Sequence, residues 1–150
     1  MNPGEFVWRY KVAFAETDLA GIVHFSNYLR YIENAEHAMF RHFGLSIHDP
    51  DPDGLRWPRV HVSCDYKRPL RFEDDIELHL FVVALHVRKV EYLIAVKRVA
   101  PGDTELMAVG RVIAVCCQQK PGGKIRAIPI PESLSRLLQP ADPERYAAYL

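Results

Sequence analysis

Apolar and polar positions keep different periods in different parts of the chain. Over residues 7–15 they alternate loosely, which predicts a first strand, and residues 16–24 follow as a glycine-containing loop. From Ser26 the spacing becomes helical. Tyr28, Tyr31, Ile32, Ala35, Met39 and Phe43 fall on one face, with Arg30, Glu33, Asn34, His37 and Arg41 on the other. This pattern predicts an amphipathic helix of about four to five turns. Ser26 or Asn27 is placed to cap its start, and Gly44 stands where a C-cap glycine belongs. Residues 46–58, which include Asp-Pro-Asp-Pro-Asp-Gly, predict a loop. Beyond them come strand patterns at 59–67, 75–88, 90–99 and 105–117, with turns at Arg88-Lys89, Pro101-Gly102-Asp103 and Pro121-Gly122-Gly123. That spacing reads as an antiparallel meander. Residues 125–130 form a last extended piece, and Pro131 opens a short helix to about Leu138, as proline suits a first helical position.

The order of elements gives an α+β class in a single domain spanning residues 1–150. One long helix covers one face of such a sheet and leaves the other. Strand segments around 80–85 and 109–117 are apolar at odd and even positions alike. Something else must bury that second face, most economically another copy of the chain, so a homo-oligomer is expected.

Composition narrows the function by exclusion. Hydrophobic residues make up 49% of 150 residues, which is globular rather than disordered. Nineteen basic and nineteen acidic residues cancel, so no global field favours nucleic acid or an anionic membrane, and any anion site must be local. The start, MNPGEFVWRYK, has neither the basic segment nor the apolar run of a signal peptide, and the apolar stretches are too short to span a bilayer. Three cysteines, Cys64, Cys116 and Cys117, form no disulfide framework and fit a reduced, cytoplasmic protein.

The sequence lacks G-x-S-x-G, a phosphate-binding glycine loop, G-x-G-x-x-G and H-E-x-x-H. Asp49-Pro-Asp-Pro-Asp-Gly54 imitates the start of a calcium loop. Its twelfth position is Val60 rather than glutamate, so an exposed acidic turn is the better account. His37 and His42 are five apart, off a common helical face, and no metal pair is visible. The informative stretch runs from Glu16 to Glu33. It offers a carboxylate, Asp18, on a loop with Gly21, shortly before a helix N-terminus. Helix-start N–H groups lack internal partners and polarise a carbonyl placed on them. A carboxylate on the carbonyl's other side can attack it or deprotonate a water. Equally, an aspartate in such a loop can simply cap its own turn.

Thr17-Asp18-Leu-Ala-Gly21-Ile-Val, Asn27-Tyr28-Leu-Arg-Tyr31 and Glu33 resemble the signature of hot-dog-fold thioesterases of the 4-hydroxybenzoyl-CoA thioesterase family, which includes broader acyl-CoA thioesterases. The likeness continues through Val62-Ser-Cys-Asp-Tyr66, Pro69, Asp74-Asp75-Ile76, Ile125-Arg-Ala-Ile128 and Pro131. The resemblance implies a long central helix wrapped by a five- or six-stranded antiparallel sheet, and hydrolysis of an aromatic or short- to medium-chain acyl-CoA. It implies that Asp18 is the nucleophile, through a mixed anhydride, or the general base. The N–H near Phe25 is then the oxyanion donor, and Arg88, Lys89 and Arg126 hold coenzyme A phosphates. Gly21, Tyr28 and Glu33 lie beside the substrate, with Glu33 reading a polar end of the acyl group or pairing with an arginine. No metal or retained cofactor is required, and a homodimer or homotetramer is expected. His24 and Phe25 depart from the residues usual there, so His24 either supplies acid–base help near neutrality or merely sits alongside. The competing functions are a hot-dog dehydratase using His24 and a non-catalytic acyl-CoA-binding protein.

Overall fold

The computed structural model describes residues 2–48, 54–120 and 122–150. The acidic turn at 49–53 and Pro121 lie outside the described residues. In chain order the elements are β1 (Glu5–Lys11), α1 (Asn27–His42), β2 (Leu55–Arg56), β3 (Arg59–Tyr66), β4 (Asp75–Leu85), β5 (Lys89–Ala100), β6 (Asp103–Val115), β7 (Cys117–Gln119), β8 (Ile125–Ala127) and α2 (Glu132–Ser135).

The helix forms as its periodicity predicts. Tyr28, Tyr31, Ile32, Ala35, Met39 and Phe40 are buried against the sheet, while Arg30, Glu33 and Asn34 are exposed. Phe43 is half-buried, just past the last turn. Two bonds close that end: Gly44 N–H donates to Arg41 O and Leu45 N–H to Phe40 O, each at 2.9 Å. This is the reciprocal pairing of a Schellman motif. At the start, Ser26 holds the cap position without capping through its side chain, and the side chain of Asn27 turns away to donate to Glu16 O at 2.8 Å.

Five antiparallel strands make the main sheet in the order β1-β4-β5-β6-β3, wrapped around α1 in the hot-dog arrangement. The predicted meander holds only for β4-β5-β6. β3 leaves the sequential order and pairs with β6, because β1 already occupies the free edge of β4. Val12 and the 73–74 turn exchange backbone bonds of 3.0 Å that lock β1 there. The first strand stops at Lys11, and residues 14–16 form a 3-10 turn instead of its continuation. β6 ends at Val115, since Cys116 N–H bonds Arg88 O at 2.7 Å instead of the sheet. A second ribbon, β2-β7-β8, follows. β2 therefore lies inside the stretch expected to be all loop, and β8 pairs with β7 rather than with the main sheet. Pro131 sits in extended backbone at the N-cap of α2, one place before the first helical position.

The outer face of the sheet is covered differently from the expectation. Phe81, Leu93 and Val109 are buried under Ala141 and Tyr146 of the same chain, with Tyr149 beside them. Two 3-10 turns at the C-terminus, unmarked by any apolar period, supply this cover. A second copy is not needed on that patch. Elsewhere the sheet stays open at its β3 edge, where Val60, Val62 and Tyr66 are 63%, 41% and 47% exposed.

Candidate active site

The loop before α1 is held by Glu16. Its carboxylate accepts from Tyr31 Oη at 2.8 Å, Tyr10 Oη at 2.9 Å and the Ala13 N–H at 2.7 Å. Its backbone oxygen accepts from Asn27 Nδ2 and from the His24 N–H. One residue therefore ties the strand exit, the loop and the helix start together. Within the loop Asp18 N–H donates to Ile22 O and Gly21 N–H to Asp18 O, a turn in which Gly21 takes a positive φ of 77°. Asp18 Oδ1 accepts from the Ala20 N–H at 2.8 Å, so the aspartate does cap its turn. Among the described residues Oδ2 has no hydrogen-bond partner, and the residue is exposed. Turn cap and reactive carboxylate are thus compatible.

Asp18 lines a cleft of about 360 Å³ with Phe25, Tyr28, Tyr66, Lys67 and Arg68. Tyr66 Oη donates to Phe25 O at 2.9 Å and its ring meets Tyr28 edge-on at 4.9 Å, fixing the backbone just ahead of α1. Partial desolvation at the cleft wall, with Cys64 beside it, pushes the Tyr66 hydroxyl up to about 12, so it stays protonated and a donor. Tyr28 Oη in turn accepts from the Leu70 N–H. Among the described residues the Phe25 N–H has no acceptor. An unpaired N–H at a helix start is the donor an oxyanion requires.

His24 is placed otherwise. Its Nδ1 lies 2.7 Å from Ser26 Oγ and accepts from the Ser26 N–H at 3.3 Å, while its ring stacks on Phe25. It is not among the residues lining the Asp18 cleft. Glu33 lines a separate cavity further along α1. Arg88 and Lys89 stand at the β4–β5 turn, and Arg126 on β8, opposite Gln118. Bonds from Cys116 N–H to Arg88 O and from Ile128 N–H to Cys116 O bring these segments together. They lie at the far end of the sheet from Asp18. Tyr66 is aligned through Ala108 with Val96, seven residues along β5 from Lys89, or about 23 Å at strand rise. Within one chain Arg88, Lys89 and Arg126 do not share a site with Asp18.

The sequence profile of the thioesterase-like superfamily matches residues 12–138. The chain belongs to the thioesterase-like superfamily. Among individual relatives, a putative esterase of Aquifex aeolicus (strain VF5) is 41% identical over 75 residues, covering 50% of this chain and 59% of its own. The acyl-CoA thioester hydrolase YbgC of Escherichia coli O157:H7 is 24% identical over 116 residues, 77% of this chain and 84% of that one. The match spans little more than half the length of the first curated relatives. Among solved structures, Slr0204, a 1,4-dihydroxy-2-naphthoyl-CoA thioesterase from Synechocystis, superposes with a TM-score of 0.81 at 22% identity, covering 90% of this chain and 96% of that one.

Four residues of the site escaped the sequence argument. The sequence alone assigns Glu16 no role, although its side chain meets tyrosines at positions 10 and 31. Tyr66, Lys67 and Arg68 reach the cleft only because β3 sits at the sheet edge beside the start of α1. The adjacent cations after a strand were the one visible signal. No helix among the described residues is long and apolar enough to cross a membrane.

Proposed function

We propose that this superfamily member hydrolyses acyl-CoA thioesters, with Asp18 as the reacting carboxylate and the Phe25 N–H as the oxyanion donor. The observation that carries the proposal is one cleft holding both groups, the carboxylate with a free oxygen and the N–H without an acceptor. Attack on the thioester carbon moves the carbonyl electrons onto oxygen, and the Phe25 N–H donates a hydrogen bond to the oxyanion that forms. One such donor contributes about 2.7–4 kcal/mol. Collapse expels the coenzyme A thiolate, which takes up a proton. Asp18 either attacks directly, giving a mixed anhydride that water then opens, or removes a proton from the attacking water. Both routes release the free acid and coenzyme A. His24, tied through Nδ1 to Ser26 and set outside the cleft, favours hydrolysis over a dehydratase that needs an imidazole against the acyl chain.

A second copy completes the site. The open β3 edge can pair with itself about a two-fold axis, and antiparallel pairing sets opposite ends of two sheets side by side. The partner's end carrying Arg88, Lys89 and Arg126 then faces this protomer's Asp18 cleft, where Lys67 and Arg68 already stand. Guanidinium groups suit the phosphates of coenzyme A. Three free cysteines accord with a reducing, cytoplasmic setting. Thiol release from a panel of aromatic and aliphatic acyl-CoAs tests the proposal. Wild type should turn over at least one, and Asp18→Asn should slow it by about a thousandfold or more. Undiminished turnover in Asp18→Asn refutes the mechanism, and tight binding without release points to a carrier instead.

A further inference from the structure

The seam between α1 and β3 holds a second cavity, of about 120 Å³, beyond the Asp18 cleft. Glu33 and Glu36 of α1, Arg59 of β3 and Tyr92 of β5 line it, with half-exposed Leu29 and Val62 among the apolar walls. Its polar groups are unusual for a sheet interior. Glu36 is 3% exposed and pairs with Arg59 through Oε1 and Nη2. Arg59 spends its other terminal nitrogen on Trp57 O. Glu36 Oε2 is left without a partner among the described residues. Tyr92, 2% exposed on the central strand, has the one buried side-chain polar atom among the described residues with no hydrogen-bond partner. A buried hydroxyl left unpaired is costly, and a native structure that keeps one generally has a use for it.

We propose that Tyr92 and Glu36 form a specificity subsite for a hydroxyl group at the distal end of the acyl chain. This rests on the thioesterase proposal and adds to it the class of acyl group. A hydroxyl both donates and accepts. It can donate to Glu36 Oε2 while accepting from Tyr92 Oη, and so satisfies both orphans at once. A bare hydrocarbon satisfies neither, and a carboxylate meets the charge of Glu36. The seam also sets a length. Glu33 and Glu36 lie eight and eleven residues beyond Phe25, about 12 and 16 Å along the chain of helical rises. Neither a single benzene ring nor two fused rings bridge that span, whereas an extended chain of about ten carbons does. The substrate class is therefore a medium-chain acyl-CoA with a hydroxyl near its far end.

The test compares a matched pair, ω-hydroxydecanoyl-CoA and decanoyl-CoA. Wild type should favour the hydroxylated member by about tenfold or more in kcat/KM. Tyr92→Phe should bring that ratio close to one, and Leu29→Trp, which fills the mouth, should do the same. Binding of the free hydroxy acids, followed by calorimetry, separates this inference from the thioesterase proposal. It should weaken by about tenfold in Tyr92→Phe whether or not any thioester is cleaved. Without ligand, Tyr92→Phe should melt no lower than wild type, because the hydroxyl it removes has no protein partner. Equal ratios and equal hydroxy-acid binding in wild type and Tyr92→Phe overturn the inference. So does a lowered melting temperature without a change in ratio, which marks a purely structural hydroxyl.

Discussion

Removing the Glu16 side chain should destabilise the fold more than removing the Asp18 carboxylate. Glu16→Ala deletes the acceptor for two tyrosine hydroxyls and one backbone N–H. Tyr31 is only 1% exposed, so its hydroxyl cannot turn to water for a replacement. A hydrogen bond to a charged group contributes about 1.5–3 kcal/mol, and stranding a buried donor costs about 1–3 kcal/mol. The three bonds share one carboxylate and are not additive, so a loss of about 3–5 kcal/mol follows. Glu16→Gln is the informative contrast. Its amide oxygen still accepts from Tyr31 and Ala13, and its amide nitrogen can donate to the Tyr10 oxygen, so it should cost only about 1 kcal/mol. Urea unfolding of the three proteins measures both numbers. Thioester turnover should fall in the alanine variant even where it is fully folded, because the loop that carries Asp18 loses its anchor. A Glu16→Ala protein within about 1 kcal/mol of wild type would show that the network does not hold the loop.

Other consequences can be checked in parallel. Gly4 has a φ of +72°, and a Cβ there would stand 2.4 Å from Ala141 N and Gln139 O, so Gly4→Ala should cost about 2–4 kcal/mol and loosen the C-terminal cover, read by unfolding and by proteolysis near residue 140. Burial holds the Glu36 carboxyl above the ordinary glutamate value of 4.5, against the pull of Arg59. The folded chain then binds that proton more tightly than the unfolded one. The group's stabilisation is complete below pH 4.5 and is lost as pH rises through the raised folded value. Glu36→Gln should flatten the melting-temperature profile in that window, and an unchanged profile would contradict the assignment. Arg88→Ala combined with Arg126→Ala should raise KM for coenzyme A thioesters by about tenfold and spare thioesters of a short thiol lacking phosphates. An equal effect on both thiols would remove these arginines from the phosphate site.

The long helix and the strands were legible because their periodicity is written in many residues at once. Tyr28 to Met39 repeat the helical spacing, and residues 76–84 and 90–96 repeat the strand spacing. Asp18 and the helix start at Phe25 were legible as a local juxtaposition, seven residues apart in the sequence. What depended on partners distant in sequence was not. Nothing local to 59–66 says that this strand pairs with 108–114 across two intervening strands, and so Tyr66, Lys67 and Arg68 went unseen as cleft residues. The same holds for Glu36, which lies beside the polar face by its spacing and is buried because Arg59 reaches it from β3. The cover over Phe81 and Leu93 comes from a C-terminal stretch whose turns carry no period at all.

The placement of β3 bears on the order in which the molecule assembles. β4, β5 and β6 are joined by tight turns and can zip together as local hairpins, with little loop entropy to overcome. β3 is synthesised before all three, yet its strand partner, β6, is completed about fifty residues later. Residues 59–66 must wait, unpaired, while the hairpins form, and they dock after them. Tyr66 and the wall of the Asp18 cleft arrive with that docking. Reactive geometry is therefore a late event in folding: intermediates possess the hairpin core well before they possess a place to bind substrate.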